Sequence, residues 1–259
     1  MLNEVNAKFI LTCIEQTSKN KASYGNLFNS NRLLKGKVKL PLDQSRNINW
    51  SFMEECIKER EHEKRQKLKA YYKNKLLDLA IIFENLTDVE WKAFPLEALF
   101  KLERGNQNNM SICVEGDIPL ISAKKVDNGL KDFISNNGKK MFSSHILTLN
   151  NDGDGGVGIA YYQANKTAID THVTALIPKF SICREAMLYI SKIITAQRHK
   201  FSHGYSLNNN RIKRQKIMLP VTDGEINYEY MEYFIKNIEK RQIESVLQYL
   251  DNIESDSFT

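Results

Sequence analysis

Long apolar runs are missing from this chain of 259 residues. The longest, such as Leu76 to Phe83, are short and carry Asp78, whereas a membrane helix needs about 20 consecutive apolar residues. The first residues, Met-Leu-Asn-Glu-Val-Asn, hold no basic stretch leading into an apolar one. No secretory signal is therefore expected, and the chain reads as cytoplasmic with no membrane partner. Cysteine is scarce. Cys13, Cys56, Cys113 and Cys183 lie far apart and form no C-x-x-C pair. That spacing argues against a disulfide framework or a structural zinc site and suits a reducing compartment. Proline occurs five times, too sparsely to build the Asn/Asp-Pro-Pro-aromatic tetrad of amino-methyl transfer. Neither His-Glu-x-x-His nor Gly-x-Ser-x-Gly is present. With 42% hydrophobic and 26% charged residues, the composition is that of an ordinary globular protein of one to two domains.

What the chain does contain is an internal repeat. Residues Ser23 to Met53 and Ser202 to Met231 align at Ser23/Ser202, Gly25/Gly204, Phe28/Leu207, Asn29/Asn208, Asn31/Asn210 and Arg32/Arg211. The register continues through Leu33/Ile212, Lys37/Lys216, Val38/Ile217, Leu40/Leu219 and Pro41/Pro220. After a gap of one residue it resumes at Asn49/Asn227, Trp50/Tyr228, Phe52/Tyr230 and Met53/Met231. Each copy predicts an apolar strand ending at Leu-Pro, a polar turn, and an Asn that caps a helix. The first helix is expected over Trp50 to Leu86 and the second over Tyr228 to Ile253. Both are long and narrowly striped: Met53, Ile57, Leu68, Tyr72, Leu76 and Leu79 on one, Met231, Ile235, Ile238, Leu247 and Leu250 on the other. The first stripe has a polar gap between Ile57 and Leu68. Such helices pair as an antiparallel coiled coil or lie separately on a globular core. Between them, Glu90 to Pro220 alternates short apolar runs with turn signals, which predicts a mainly β domain with one helix near Arg184 to Gln197.

Charge is distributed unevenly within a net +6. Ser191 to Met218 holds Lys192, Arg198, Lys200, Arg211, Lys213, Arg214 and Lys216, with His199 and His203, and no acid. Thr17 to Lys39 holds Lys19, Lys21, Arg32, Lys35, Lys37 and Lys39, again with no acid. Acid-free basic segments interleaved with Ser, Asn and Tyr suit a phosphate backbone; the plainer alternative is a solvated basic face. The stretch Asn150 to Gly158 is rich in glycine. It has neither a P-loop ending nor a dinucleotide fingerprint, and no Glu closes a calcium loop around Asp152 and Asp154. Its glycines predict a turn whose backbone approaches something closely. Glu90 and Lys92, with Asp78 or Asp88, resemble half of a nuclease metal site, and His199 with His203 could share a helix face. Both sets read better as surface charge, so no metal, no cofactor and no catalytic residue is expected.

Several motifs, in order, are similar to a known family. Trp91-Lys-x-Phe94-Pro-Leu-Glu-x-Leu-Phe100, closing at Gly105, resembles the opening of a target-recognition domain. Asp117 to Ala123, Asp127-Asn-Gly129, Leu149-Asn with Gly153 and Gly156, and Phe201 to Pro220 continue the resemblance. The family is the specificity subunits of type I restriction–modification enzymes and related type II recognition subunits. The resemblance implies an α+β fold: a mainly β recognition domain plus long helices forming an antiparallel coiled coil. It implies residues 1–49 as the tail of a first recognition domain lacking its body, 50–88 as a spacer helix, 89–227 as a complete recognition domain, and 228–259 as a second spacer helix. The implied role is sequence-specific recognition of double-stranded DNA without catalysis. Separate adenine methyltransferase subunits, and in some assemblies a restriction subunit, would be the partners, with a homodimer supplying a second reader. Two alternatives stay open: a small metal-dependent nuclease using Glu90 and Lys92, and a truncated remnant that binds methyltransferase only. The DNA-binding residues expected from charge, polarity and place in these motifs are Ser122, Lys124, Lys125, Asn128, Gly153, Gly156, Lys166, His172, Arg198, Lys200, Ser202, Tyr205, Arg211, Lys213 and Arg214.

Overall fold

Asn49 and Asn227 begin the two long helices, as their position before an aromatic residue predicts. In the computed structural model the Asn49 side chain accepts the Phe52 N–H at 2.9 Å, and Asn227 accepts the Tyr230 N–H at 2.7 Å. Each satisfies one of the amide donors that a helix start leaves without an intrahelical partner. The structure describes residues 2–18, 35–79, 89–108, 113–152, 156–201 and 207–256.

In chain order the described elements are α1 (Glu4–Ser18), α2 (Trp50–Asp78), β1 (Glu90–Pro95), the single turn α3 (Leu96–Leu99), β2 (Phe100–Arg104), β3 (Glu115–Ile121) and β4 (Leu130–Ile134). Then follow β5 (Ile146–Asn150), β6 (Ala160–Gln163), β7 (Ala168–Ile169), β8 (Val173–Pro178), α4 (Arg184–Ala196), α5 (Asn209–Arg214), β9 (Lys216–Thr222), β10 (Glu225–Ile226) and α6 (Tyr228–Asp256). They divide into two compact units. One comprises Met1–Asp78 with Ile243–Thr259, the other Leu79–Gln242.

The larger unit holds three small sheets, ordered β1-β9-β10, β2-β8-β5-β6 and β4-β3-β7. Strand β5 lies between β8 and β6 and is buried at every position from Ile146 to Asn150. Its apolar residues Ile146, Leu147 and Leu149 are therefore joined by buried Thr148 and Asn150, and Thr148 accepts from the Gln163 side chain at 3.0 Å, as a buried hydroxyl requires. Helix α4 lays Ala186, Met187, Ile190 and Ile194 into a core shared with Leu147, Leu149, Leu176, Ile217 and Leu219. Burying a side chain of this size stabilises the fold by about 1.5–3 kcal/mol relative to leaving it in water. Thr195, on the same helix, accepts the Ala160 N–H at 2.9 Å and so ties α4 to the start of β6.

The second repeat copy does not end its strand at Leu219-Pro220. Strand β9 continues to Thr222, and Pro220 lies opposite Trp91 of β1. In the first copy residues 36–41 form no strand, and only Leu42 bridges Ile48. The difference follows from pairing: β9 has β1 as its neighbour, and no described strand lies beside 36–41.

The repeat itself reaches further than the sequence alignment. The Asn49 N–H donates to the Pro41 carbonyl and the Asn227 N–H to the Pro220 carbonyl, both at 2.9 Å. Glu54 pairs with Lys58 at 2.6 Å as Glu232 pairs with Lys236 at 2.5 Å. Glu61 takes Lys8 of α1 at 2.7 Å, while Glu239 takes Arg184 of α4 at 2.8 Å. Helices α1 and α4 therefore occupy matching places, each joined to its long helix by one ion pair. Within the smaller unit, Lys69 of α2 meets Asp251 and Glu254 of α6, each at 2.6 Å, and Gln66 donates to Glu254 at 2.9 Å. The pairing of the two long helices is met there. Along α6, Met231, Ile243 and Leu250 are buried, and Ile238 stays exposed.

Candidate nucleic-acid interface

Two grooves in the larger unit are lined by six of the charged and polar residues singled out by sequence. The first, of about 570 Å³, is lined by Gln197, Lys200, Phe201, Arg211, Arg214, Gln215 and Lys216. Its floor is built locally. Asn208 caps α5 by accepting the Arg211 N–H at 3.0 Å, which starts a helical turn that carries Arg211 and Arg214 three positions apart, on one face. Gln197 donates to the Lys216 carbonyl at 2.9 Å and accepts from Lys200 at 3.3 Å. Among the described residues no carboxylate lines this groove, so its field is positive, as a phosphate backbone requires.

The second groove, of about 560 Å³, is lined by Ser122, Ala123, Lys124, Lys131, Asp152, Asp170 and His172. It is of mixed charge. Lys124 donates to Asp127 at 2.9 Å and to the Leu130 carbonyl at 2.8 Å. The Asp152 carboxylate meets His172 Nδ1 at 2.7 Å and Arg104 at 3.7 Å. Asp170 accepts the backbone N–H of His172 at 2.8 Å, which fixes the turn carrying the imidazole.

The described residues of the glycine-rich stretch, 150–152 and 156–158, pack closely on neighbouring segments. Asn150 donates from its side chain to the Lys124 carbonyl at 3.0 Å. A Cβ at Gly156 would lie 2.8 Å from the Ala123 carbonyl oxygen, and one at Gly158 would lie 3.1 Å from Cα of Arg198. The close approach expected of these glycines is to the protein's own backbone. Burial pushes the Tyr161 hydroxyl up, Arg198 opposes that shift and Asp127 adds to it.

Of the residues expected from sequence, Ser122, Lys124 and His172 line the mixed groove, and Lys200, Arg211 and Arg214 line the basic one. Lys125 is exposed beside Lys124, and Asn128 is exposed and donates to the Tyr162 carbonyl at 3.0 Å. Arg198 stands next to the basic groove in the short helical turn Arg198–Lys200, and Lys213 is exposed on α5. Lys166 is exposed in the turn between β6 and β7 and lines neither groove. Gly153, Ser202 and Tyr205 lie outside the described residues, as do His203 and Asp88. Sequence reasoning missed Lys131, Asp152 and Asp170 as groove residues, and Arg104 as the neighbour of Asp152. Lys131 comes from β4, whose mostly exposed pattern gives no apolar alternation to detect. In the smaller unit, Lys37 and Lys39 of the first basic segment line a hollow of about 420 Å³ with Thr12, Cys13, Gln16 and Thr17. Glu90 and Lys92 are exposed on β1, where Lys92 donates to the Gly224 carbonyl at 3.3 Å. Among the described residues no group of three or more His, Cys, Asp or Glu could hold a metal ion, and no helix is long and apolar enough to cross a membrane.

The larger unit is thus a mainly β domain with a basic groove, and a long capped helix precedes and follows it in the chain. Residues 88–248 match the family described as type I restriction modification DNA specificity domain, and the chain belongs to that family. Among individual proteins it is similar to the type II restriction enzyme BgcI specificity subunit S.BcgI of Heyndrickxia coagulans. The two are 27% identical over 244 residues, covering 93% of this chain and 69% of that protein. Solved structures with a similar course are the type I restriction–modification S subunit from M. genitalium and the HsdS subunit from Thermoanaerobacter tengcongensis. The first has a TM-score of 0.43 at 17% identity, covering 75% of this chain and 53% of that one. The second has a TM-score of 0.43 at 18% identity, covering 77% and 50%. The chain thus spans about half the length of these two solved subunits.

Proposed function

We propose that this chain is a non-catalytic specificity subunit that reads a sequence in double-stranded DNA and directs separate adenine methyltransferase subunits to it. The observation that carries this reading is one of position. Every described residue lining either groove falls within 88–248, the span that matches the DNA specificity family. The basic groove supplies affinity by neutralising phosphates, and small polar groups around it hold register. The long helices space the reader and offer the surface on which methyltransferase, and in some assemblies a restriction subunit, would dock. A second copy of the chain would supply a second reader.

The test is the salt dependence of DNA binding. A chain with Lys200, Arg211, Lys213 and Arg214 all replaced by Ala should bind duplex DNA more weakly. Its log–log salt slope should be shallower by about 0.9 for each phosphate that is no longer neutralised. A slope equal to that of the parent would refute the assignment of this groove.

A further inference from the structure

The two grooves differ in a way that divides the work of DNA recognition. Among the described residues the basic groove has no carboxylate in its lining, and the mixed groove has two, Asp152 and Asp170. Carboxylates in a wall repel phosphate. They accept hydrogen bonds only, so the ligand that suits them presents donors. In the DNA major groove the donors on base edges are the exocyclic amino groups, N6 of adenine and N4 of cytosine.

His172 is the side chain placed to use this. It lines the groove, and its side chain remains 60% exposed while Nδ1 is held by Asp152. A carboxylate cannot donate, so the shared proton sits on Nδ1 of the imidazole. In the neutral ring Nε2 is then left as an acceptor. Asp152 is itself held: Arg104 lies 3.7 Å from its second oxygen, and the Arg104 Nε donates to the Thr171 carbonyl. Asp170 fixes the backbone of the same turn through the His172 N–H. The imidazole is therefore oriented at both ring and backbone, the pre-organisation that base reading needs.

The geometry points to His172 as a specificity-determining residue that accepts a hydrogen bond from the amino group of an adenine or cytosine in the major groove, with Asp152 as the positioning residue that sets its tautomer. This rests on the proposed reading of the chain as a DNA-specificity subunit. Lys124 and Lys131 lie in the same lining and offset the charge of the two carboxylates as DNA approaches.

The test is selection from a random-duplex library by the full chain with its modification subunits, comparing the parent, His172→Phe and Asp152→Ala. The parent should select a site with a strong adenine or cytosine preference at one position. His172→Phe keeps the ring bulk and removes both ring nitrogens; it should relax that preference about ten-fold while leaving the salt slope unchanged. Asp152→Ala frees the tautomer, so Nε2 can donate, and guanine or thymine should then compete at the same position. A merely structural role for Asp152 would not change base identity. Circular dichroism checks that each variant folds; if His172→Phe does not, His172→Leu, which has no hydrogen-bonding group, is read in its place with the same expected loss of preference. Retention of every base preference by the His172 variant would overturn the proposal. So would a salt slope shallower by the equivalent of one phosphate with all preferences intact, which would mark His172 as a phosphate ligand. A parent chain that selects no sequence would instead overturn the reading of the whole protein, before any variant is compared.

Discussion

A methyl group added at Gly105 would sit 2.2 Å from the Asp170 carbonyl oxygen and 2.5 Å from that of Ile169. Both are backbone atoms of the turn that carries His172, and neither can swing aside as a side chain could. At Gly156 the corresponding approach is 2.8 Å, to the Ala123 carbonyl. Overpacking of this kind costs about 1–3 kcal/mol. Gly105→Ala should therefore lower stability in urea by at least that much, and Gly156→Ala by less. Equal stability of Gly105→Ala and the parent would contradict the packing described for the mixed groove. The need for glycine near 156 was legible in the sequence, because a run of glycines without a phosphate or metal pattern leaves close backbone approach as its simplest cause. Its partner, Ala123, was not legible, since the two segments are far apart in the chain. The basic groove was largely readable because its charges are nearly contiguous in sequence. In the mixed groove Ser122, Lys124 and His172 were readable, and Lys131, Asp152 and Asp170 were not, because these three come from separate segments and meet only when the sheets assemble.

Among the secondary-structure elements, the start of each long helix was readable to the residue, since an Asn before an aromatic both caps and begins it. The strands β5 and β8 were readable as apolar runs, and α4 as a helix. Strands β1 and β4 were missed because most of their residues face solvent. Helix α1 was missed for a related reason: it shares its place with α4 but not its side chains. Lys8 reaches Glu61 in the polar gap of the α2 stripe and Phe9 meets Phe52 edge-on at 6.4 Å, so α1 is held by an ion pair as well as by apolar contact. The clasp at the other end of α2 is also ionic. Hydrogen bonds to Asp251 and Glu254 raise the Lys69 amine above its usual 10.5, and Lys69 holds the Asp251 carboxyl below its usual 3.8. The raised lysine contributes stability that is complete below pH 10.5 and lost as pH rises through its folded value. The depressed aspartate contributes stability that is complete above pH 3.8 and lost as pH falls through its folded value. The clasp is thus intact across the neutral range. On the same stretch of α6, Ile243 and Leu250 are buried at 4% and 5% exposure. Replacing both with Asp should bury charge without a partner and lower the thermal midpoint, by more than about 2 kcal/mol of stability. Tyr249→Asp, at a position 65% exposed, should leave the midpoint nearly unchanged. If the double variant melts with the parent, the helices are not held through these positions.

For the molecule as a whole, the repeat is the organising fact. Two modules share a capped long helix, a preceding helix tied to it by an ion pair, and a basic segment ahead of the cap. One module carries a full β domain with two grooves; the described residues of the other carry Lys37 and Lys39 beside α1. On the proposed reading of residues 89–227 as one complete reader, a second is gained most simply by two-fold pairing, the commonest symmetry of soluble oligomers. Two readers related by a two-fold axis face opposite directions on the duplex. Selection from random duplexes by the full chain with its methyltransferase, with the mass of the complex measured by light scattering, tests the account most directly. A dimeric complex that enriches one inverted repeat with a fixed gap is the predicted result. Enrichment of a single asymmetric half-site by a monomer would remove the dimer and keep the reader. Binding that stays strong yet enriches no sequence at all would contradict the claim that this chain reads DNA.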